Sequence, residues 1–189
     1  MVTASDFKLS SGNRKALIGA GVGAGVALLG VVGRKLAVQA PTIAAGEWDK
    51  ALAVEHAAAL ALFDKLEGLG PENGVKRTLL LTHLKNALGK HAFQEENVIY
   101  PAMRDAGLKD EADKLTGDHG YVKQYLYDLA DLTDDHEGFQ AKLHDFRRAI
   151  ERHMTEEEDV LFVRLKARLD ADANKTLTIR MNREGVKLA

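Results

Sequence analysis

The sequence predicts an all-α protein: an up-down-up-down four-helix bundle with an extra N-terminal apolar, glycine-rich helix. Three observations predict it. One fragment is written twice, since His56…His91-x-x-x-Glu95 reappears as His119…His153-x-x-x-Glu157, with His91 and His153 62 residues apart. Apolar residues recur around each of these histidines at three- and four-residue spacing, the period of a helix with one inward face. Prolines occur only at 41, 71 and 101, which leaves room for long helices.

Composition narrows the field. A chain of 189 residues is long enough for one domain with a sizeable core. With 26 basic and 28 acidic residues it is nearly neutral and shows no nucleic-acid footprint. Cysteine is absent, which excludes disulfides, thiolate zinc sites, cysteine-held iron–sulfur clusters and a catalytic thiol.

In chain order, residues 1–46 form a tail, an apolar segment and a linker. The apolar segment, 16–33, carries no charge and six glycines, between Arg14-Lys15 and Arg34-Lys35. Its length reaches the lower limit for a membrane span, about 17–25 residues. Gly19-x-x-x-Gly23 and Gly21-x-x-x-Gly25 suit close helix packing. It reads as a single membrane anchor of undecided orientation, or as an arm that joins a second subunit in a cytoplasmic homo-oligomer. Val38-Gln39-Ala40 resembles a cleavage site, but Arg34 and Lys35 intervene, against export. Residues 36–46 read as a linker.

The bundle is expected over 47–169. Its first helix spans about 47–67 and stops at Gly68-Leu-Gly70-Pro71. The second spans 72–105, bent at Pro101, and ends at Gly107. The third covers 109–132, weakened around His119 by Gly117 and Gly120. The fourth starts after the Asp134-Asp-His-Glu137 capping signal and continues to Leu169. The tail, 170–189, is mixed and basic. Because the repeated motif lies wholly in 47–169, residues 1–40 are expected to be dispensable for it.

Four residues advance a helix by ~6 Å and return to nearly the same face, so each repeated histidine and its glutamate address one spot. The inward stripes carry Leu80, Leu84, Ala87, Val98 and Ala102 around His91, and Phe139, Phe146, Ile150, Val160 and Leu161 around His153. Similar stripes flank His56 (Leu52, Ala59, Leu60, Phe63) and His119 (Leu115, Val122, Leu126, Leu129). Four imidazoles and two carboxylates would then meet in an apolar centre, where only pairing or a cation makes them affordable. The candidate metal residues are His56, His91, Glu95, His119, His153 and Glu157. Imidazole and carboxylate without thiolate suit iron, manganese or zinc. His83, His136 and His144 stand off this pattern and read as solvated or capping side chains. Glu96, Glu156, Glu158 and Asp159 read as a solvated face, and Tyr100, Tyr121, Tyr125 and Tyr127 as packing residues.

The order His…His-x-x-x-Glu…His…His-x-x-x-Glu, with Glu95-Glu96-x-x-Ile99-Tyr100-Pro101, resembles the hemerythrin-like, or HHE cation-binding, family. The resemblance implies a four-helix bundle around a non-haem di-iron centre. His56 and His91 would hold one iron, His119 and His153 the other, and Glu95 and Glu157 would bridge them. Two departures stand out. Oxygen carriers of this family have a third-helix His-x-x-x-His, where this chain has Lys123, and they end in His-x-x-x-x-Asp, where Glu157 and Glu158 both present themselves. Glu157 matches Glu95 in the repeat. Four histidines, two bridging glutamates and a bridging oxygen leave open positions, as catalysis requires. The expected function is therefore binding or turnover of dioxygen, peroxide or another diatomic ligand in redox or stress defence, with catalase- or peroxidase-like activity. The alternatives are an iron or oxygen sensor without turnover, and a structural metal bundle.

Overall fold

The structure, a computed structural model, describes residues 33–189, and these are helical with no strand among them. Helix α1 covers 33–44 and α2 Trp48–Glu67. Helix α3, Gly74–Gln94, runs into a π turn, Glu95–Ile99, and then α4, Tyr100–Asp105. Helix α5 is Lys109–Asp131, unbroken through Gly117 and Gly120. Helix α6, His136–Glu156, runs into a second π turn, Glu157–Leu161, and then α7, Phe162–Arg168. Helix α8 is Ala171–Leu188.

Each long helix buries one stripe at helical spacing: Leu52, His56, Ala59 and Phe63 on α2, and Leu81, Leu84, Leu88 and His91 on α3. The third and fourth stripes are Leu115, His119, Leu126 and Leu129 on α5, and Phe139, Leu143, Phe146, Ile150 and His153 on α6. The α3 stripe is displaced by one residue from the expected one, since Leu81 and Leu88 are buried while Leu80 and Ala87 are half-buried. Asp135 caps α6 by accepting from the Gly138 N–H at 3.1 Å, within the capping signal read in the sequence. Gly107, at φ +76°, takes the left-handed conformation that ends α4. Arg77 is buried at the far end of α3, where it donates to the carbonyls of Thr133 and Gly70 and lies 3.0 Å from His136 Nδ1.

The core divides into two apolar clusters. One gathers Trp48, Leu52, Ile99, Met103, Leu115, Phe162 and Leu165, the other Phe63, Leu84, Leu126, Phe139, Phe146 and Ile150. On α2, α3 and α5 the repeated histidine lies between the two clusters in sequence, and on α6 His153 lies at the edge of the second, so a polar layer is sandwiched between two apolar ones.

Two expectations change. The expected linker 36–46 is mostly helical: Gln39 and Thr42 of α1 are buried, and Thr42 donates to Glu55 at 2.7 Å. The basic tail forms α8, which buries Leu177 and Met181 in the first cluster, worth about 1.5–3 kcal/mol per fully buried side chain. Its Gly185 permits a close approach, because a Cβ there would meet the Gln39 amide at 2.6 Å. No helix among the described residues is long and apolar enough to cross a membrane. The apolar segment 16–33, apart from Gly33, lies outside the described residues.

Candidate metal centre

His56 on α2 and His91 on α3 point their Nε2 atoms at each other, 2.8 Å apart. Glu95 Oε2 lies 3.1 Å from His91 Nε2 and 3.3 Å from His119 Nε2, so this carboxylate joins the two halves of the repeat. Glu157 Oε2 does the same, 3.4 Å from His56 Nε2 and 3.3 Å from His153 Nε2. Two groups that could hold a metal ion result, His56–His91–Glu95–Glu157 and Glu95–His119–His153, in each of which the candidate atoms lie within 4.8 Å of one another. All six residues proposed from the sequence are buried in one place.

The donor chemistry fits a cation. Glu95 Oε1, Glu157 Oε2 and both ring nitrogens of His153 are buried with no hydrogen-bond partner. Orphaned acceptors of this kind cost about 1–3 kcal/mol each, more when charged, unless something positive answers them.

The family model of the hemerythrin HHE cation binding domain matches residues 49–165. The chain belongs to this family. The match spans the six buried histidines and glutamates described above and leaves α1 and α8 outside it. No curated protein and no solved structure matches the chain.

Around the HHE centre lies a shell of carboxylates that the sequence reading missed. Glu158 Oε1 is 2.6 Å from His56 Nδ1, Glu55 Oε2 3.2 Å from His91 Nδ1, and Glu96 Oε1 3.0 Å from His119 Nδ1. Asp118 Oδ2 stands 3.5 Å from His153 Nδ1. Such partners fix the orientation of an imidazole and raise its basicity as a ligand. Their pattern follows the repeat. The acid just before the first histidine of each half, Glu55 or Asp118, faces the second histidine of that half. The acid just after each glutamate, Glu96 or Glu158, faces the first histidine of the other half. Those matched neighbours were the available signal. Glu96 and Glu158 thus hold imidazoles from outside, and Glu157, not Glu158, sits at the middle.

The π turns shape the centre. Each starts at a central glutamate, with the N–H of Tyr100 bonded to the Glu95 carbonyl and that of Phe162 to the Glu157 carbonyl. In a regular helix at ~100° per residue, a side chain five positions on would lie far round the axis. The wider turn brings Tyr100 back over Glu95. Its hydroxyl donates to Glu157 Oε1 at 2.7 Å and lies 3.3 Å from Glu95 Oε2 and 3.1 Å from His119 Nε2. Val160 is exposed, contrary to the expected stripe, while Leu161 is buried; at the matching place in the first π turn Val98 stays buried. Proline is not the cause, since the second turn forms with Val163 where the first has Pro101. Tyr121 and Tyr127 are exposed and do not pack in the core, while Tyr125 is half-buried and stacks on Phe146.

Electrostatics couple the shell to the centre. Burial pushes the Glu55 carboxyl up, but His91 and Lys90 outweigh it and hold it at about 2. Burial pushes His119 down, and Glu95 and Glu96 overcome this to raise it from 6.5 to about 9. His91 rises well above its ordinary value, because Glu95 and Glu55 overcome its burial. The Tyr100 hydroxyl is pushed well up by burial and by the Glu95 and Glu157 charges, so it keeps its proton. Protons on His91 and His119 therefore stand where a cation would otherwise sit. His83 and His144 are exposed and His136 half-buried, all apart from the centre. Lys123, where an oxygen carrier has histidine, is exposed and pairs with Glu96 at 3.3 Å.

Proposed function

We propose that this chain is a non-haem di-iron protein that binds or turns over dioxygen or peroxide in redox or stress defence. The observation that carries the reading is the pair of ligand groups joined by one carboxylate, with orphaned oxygens on both central glutamates. His56 and His91 would hold one ion, His119 and His153 the other, with Glu95 and Glu157 shared between them. The passage of α2, α3 with α4, α5, and α6 with α7 from one apolar cluster to the other, reversing each time, supports the up-down-up-down arrangement that sets these six residues face to face. Two iron ions, when bound, supply open positions for a small ligand and one electron each.

The chain's own residues do the rest. The apolar clusters on either side exclude water. Glu55, Glu96 and Glu158 orient the imidazoles through Nδ1. The Tyr100 hydroxyl holds a proton at Oη between Glu95 and Glu157, where a proton is needed when an oxygen–oxygen bond is broken. With Lys123 turned out to Glu96, the third-helix imidazole of an oxygen carrier is missing, which favours onward reaction over reversible storage.

A sensor reading has its own support. Glu55, which holds His91, also accepts from Thr42 of α1, and from Lys90, which in turn donates to Gln39 of α1 at 2.9 Å. Occupancy of the centre is thereby linked to the helix just after the apolar segment. Metal analysis and an absorption spectrum of the isolated chain, followed by peroxide consumption, separate the readings. Two irons with near-ultraviolet and visible absorption and rapid peroxide loss are expected. Bound iron without peroxide loss leaves the sensor, and colourless zinc overturns both.

A further inference from the structure

The chain is divided by charge. Residues 49–165, the stretch that matches the family, hold 23 of the 28 acidic side chains but 15 of the 26 basic ones. The remainder, which includes α1 and α8, is therefore basic. Each of these two helices packs on the bundle by one side. Helix α8 buries Leu177, Met181 and Gly185, and α1 buries Gln39 and Thr42. Gln39 donates to Asn182 of α8 at 3.2 Å, and Lys35 Nζ donates to the Lys187 carbonyl at 2.5 Å. The outer sides of α1 and α8 therefore adjoin.

Those outer sides mix cations with apolar residues. On α8, Lys175, Ile179, Arg180 and Arg183 are exposed and, at ~100° per residue, fall on one stripe. On α1, Arg34 is exposed, and so are Leu36, Val38 and Ile43. Among the described residues no carboxylate pairs with Arg34, Lys175, Arg180 or Arg183, whereas Lys187 is paired with Glu184. Asp172 is the other acid of α8. A nucleic acid or an acidic protein would answer the cations and leave the apolar side chains in water. An anionic lipid surface answers both, with headgroup phosphates for the cations and the headgroup–acyl boundary for the apolar tips. The uncharged run 16–33, which ends where α1 begins, adds apolar residues beside this face in the sequence.

We propose that the joined outer faces of α1 and α8 are a seat for an anionic lipid surface, on which the chain lies with its acidic bundle turned away. Arg34, Lys175, Arg180 and Arg183 meet the phosphates, and Leu36, Val38, Ile43 and Ile179 enter the boundary. The acidity of the bundle favours this orientation, because the same surface repels every other face. The seat needs no membrane-crossing helix. It does not rest on the di-iron reading, since no residue of the centre takes part.

The test measures co-sedimentation of the full chain with vesicles of phosphatidylcholine alone and of phosphatidylcholine mixed with phosphatidylserine. The full chain is expected to bind the mixed vesicles about tenfold or more tighter. Lys175→Gln, Arg180→Gln and Arg183→Gln together should weaken that binding about 100-fold, at about fivefold per cation. Helix content should be unchanged, because all three side chains are exposed. Lys65→Gln, Lys76→Gln and Arg148→Gln together remove the same charge from exposed positions of α2, α3 and α6. They should weaken binding by no more than about threefold, since charges far from the seat are screened. Equal or absent binding to the two kinds of vesicle, undiminished binding of the α8 variant, or an equal loss in both variants would each overturn the inference. Tighter binding to a DNA duplex than to the mixed vesicles would overturn it too. Iron analysis of the same preparations decides the di-iron reading separately.

Discussion

Glu158 Oε1 lies 2.6 Å from His56 Nδ1, so an acid of the second half of the repeat holds an imidazole of the first. Its neighbour Glu157 is fully buried and faces the inner nitrogens of His56 and His153. One residue of separation thus divides two roles. The second π turn begins at Glu157 and carries both.

Removing each acid should have different consequences. Glu157→Ala should lose bound metal and the stabilisation that metal brings, since a ligand that binds only the folded state raises its melting temperature. Glu95→Ala should do the same. Glu158→Gln should keep the metal and weaken its affinity by about 10–100-fold, the usual effect of losing an outer-shell partner. His83→Ala, on an exposed side chain, should change neither. Elemental analysis and chelator competition on the four variants check this, and full metal in Glu157→Ala would remove that residue from the centre.

A chain beginning at Ala44 should be less stable than the full chain. It would lack Gln39, which accepts from Lys90, and Thr42, which donates to Glu55. Lys90 and Glu55 are both buried, and leaving a buried polar group unsatisfied costs about 1–3 kcal/mol. Denaturant unfolding of the two chains measures the difference. Equal stability would return α1 to the role of linker that its sequence first implied.

What the sequence made legible, and what it did not, follows one physical line. The six central residues were readable because helical spacing and an internal repeat put them on inward faces. The four helices were readable for the same reason. Tyr100 was not, because a regular helix would carry it away from Glu95 and only the π turn returns it. Val160 was misplaced because the repeat pairs it with Val98, which is buried, while Val160 itself is exposed. Glu55 and Asp118 precede histidines that they do not themselves contact, so spacing along one helix could not reveal them; they act across to the neighbouring helix. Helix α1 was hidden by Pro41 and a run of small residues that reads as linker. Gln39 and Thr42 are polar residues buried for their partners, Lys90 and Glu55, and no apolar pattern announces them.

The metal-free protein should lose stability as pH rises. His119 is raised from 6.5 to about 9 in the folded chain by Glu95 and Glu96, so its protonation favours folding. That contribution is complete below 6.5 and is lost as pH climbs through about 9. His91, raised well above its ordinary value, adds in the same direction. Glu55, held at about 2 against an ordinary 4.5, contributes above 4.5 and is lost as pH falls toward 2. Metal affinity should move oppositely to the imidazole contribution, rising with pH as protons cease to compete for the same nitrogens. Melting temperatures of metal-free protein at pH 6, 7.5 and 9 read the first effect. Calorimetry of metal binding in buffers of different ionisation enthalpy reads the second, where proton release at pH 7 is expected. A metal-free protein that grows more stable between pH 6.5 and 9 would show that these imidazoles are neutral in the fold.

Tyr100→Phe isolates the proton held at the centre. The repeat places Phe162 where the first half has Tyr100, so a phenylalanine ring is already accommodated after a π turn of this fold. Removing the hydroxyl takes away the donor at 2.7 Å from Glu157 and leaves the packing of a buried ring in place. Metal content should therefore stay at the wild-type level. Peroxide consumption should fall by about 10²-fold or more, the low end of what a positioned acid supplies. Because burial and both glutamates keep Tyr100 protonated, the wild-type rate should show no loss attributable to its ionisation across the neutral range. Parallel measurement of iron, absorption spectrum and rate separates a proton donor from a packing residue. An unchanged rate with full iron would return Tyr100 to packing alone, and a loss of iron would instead make its hydroxyl part of the binding site.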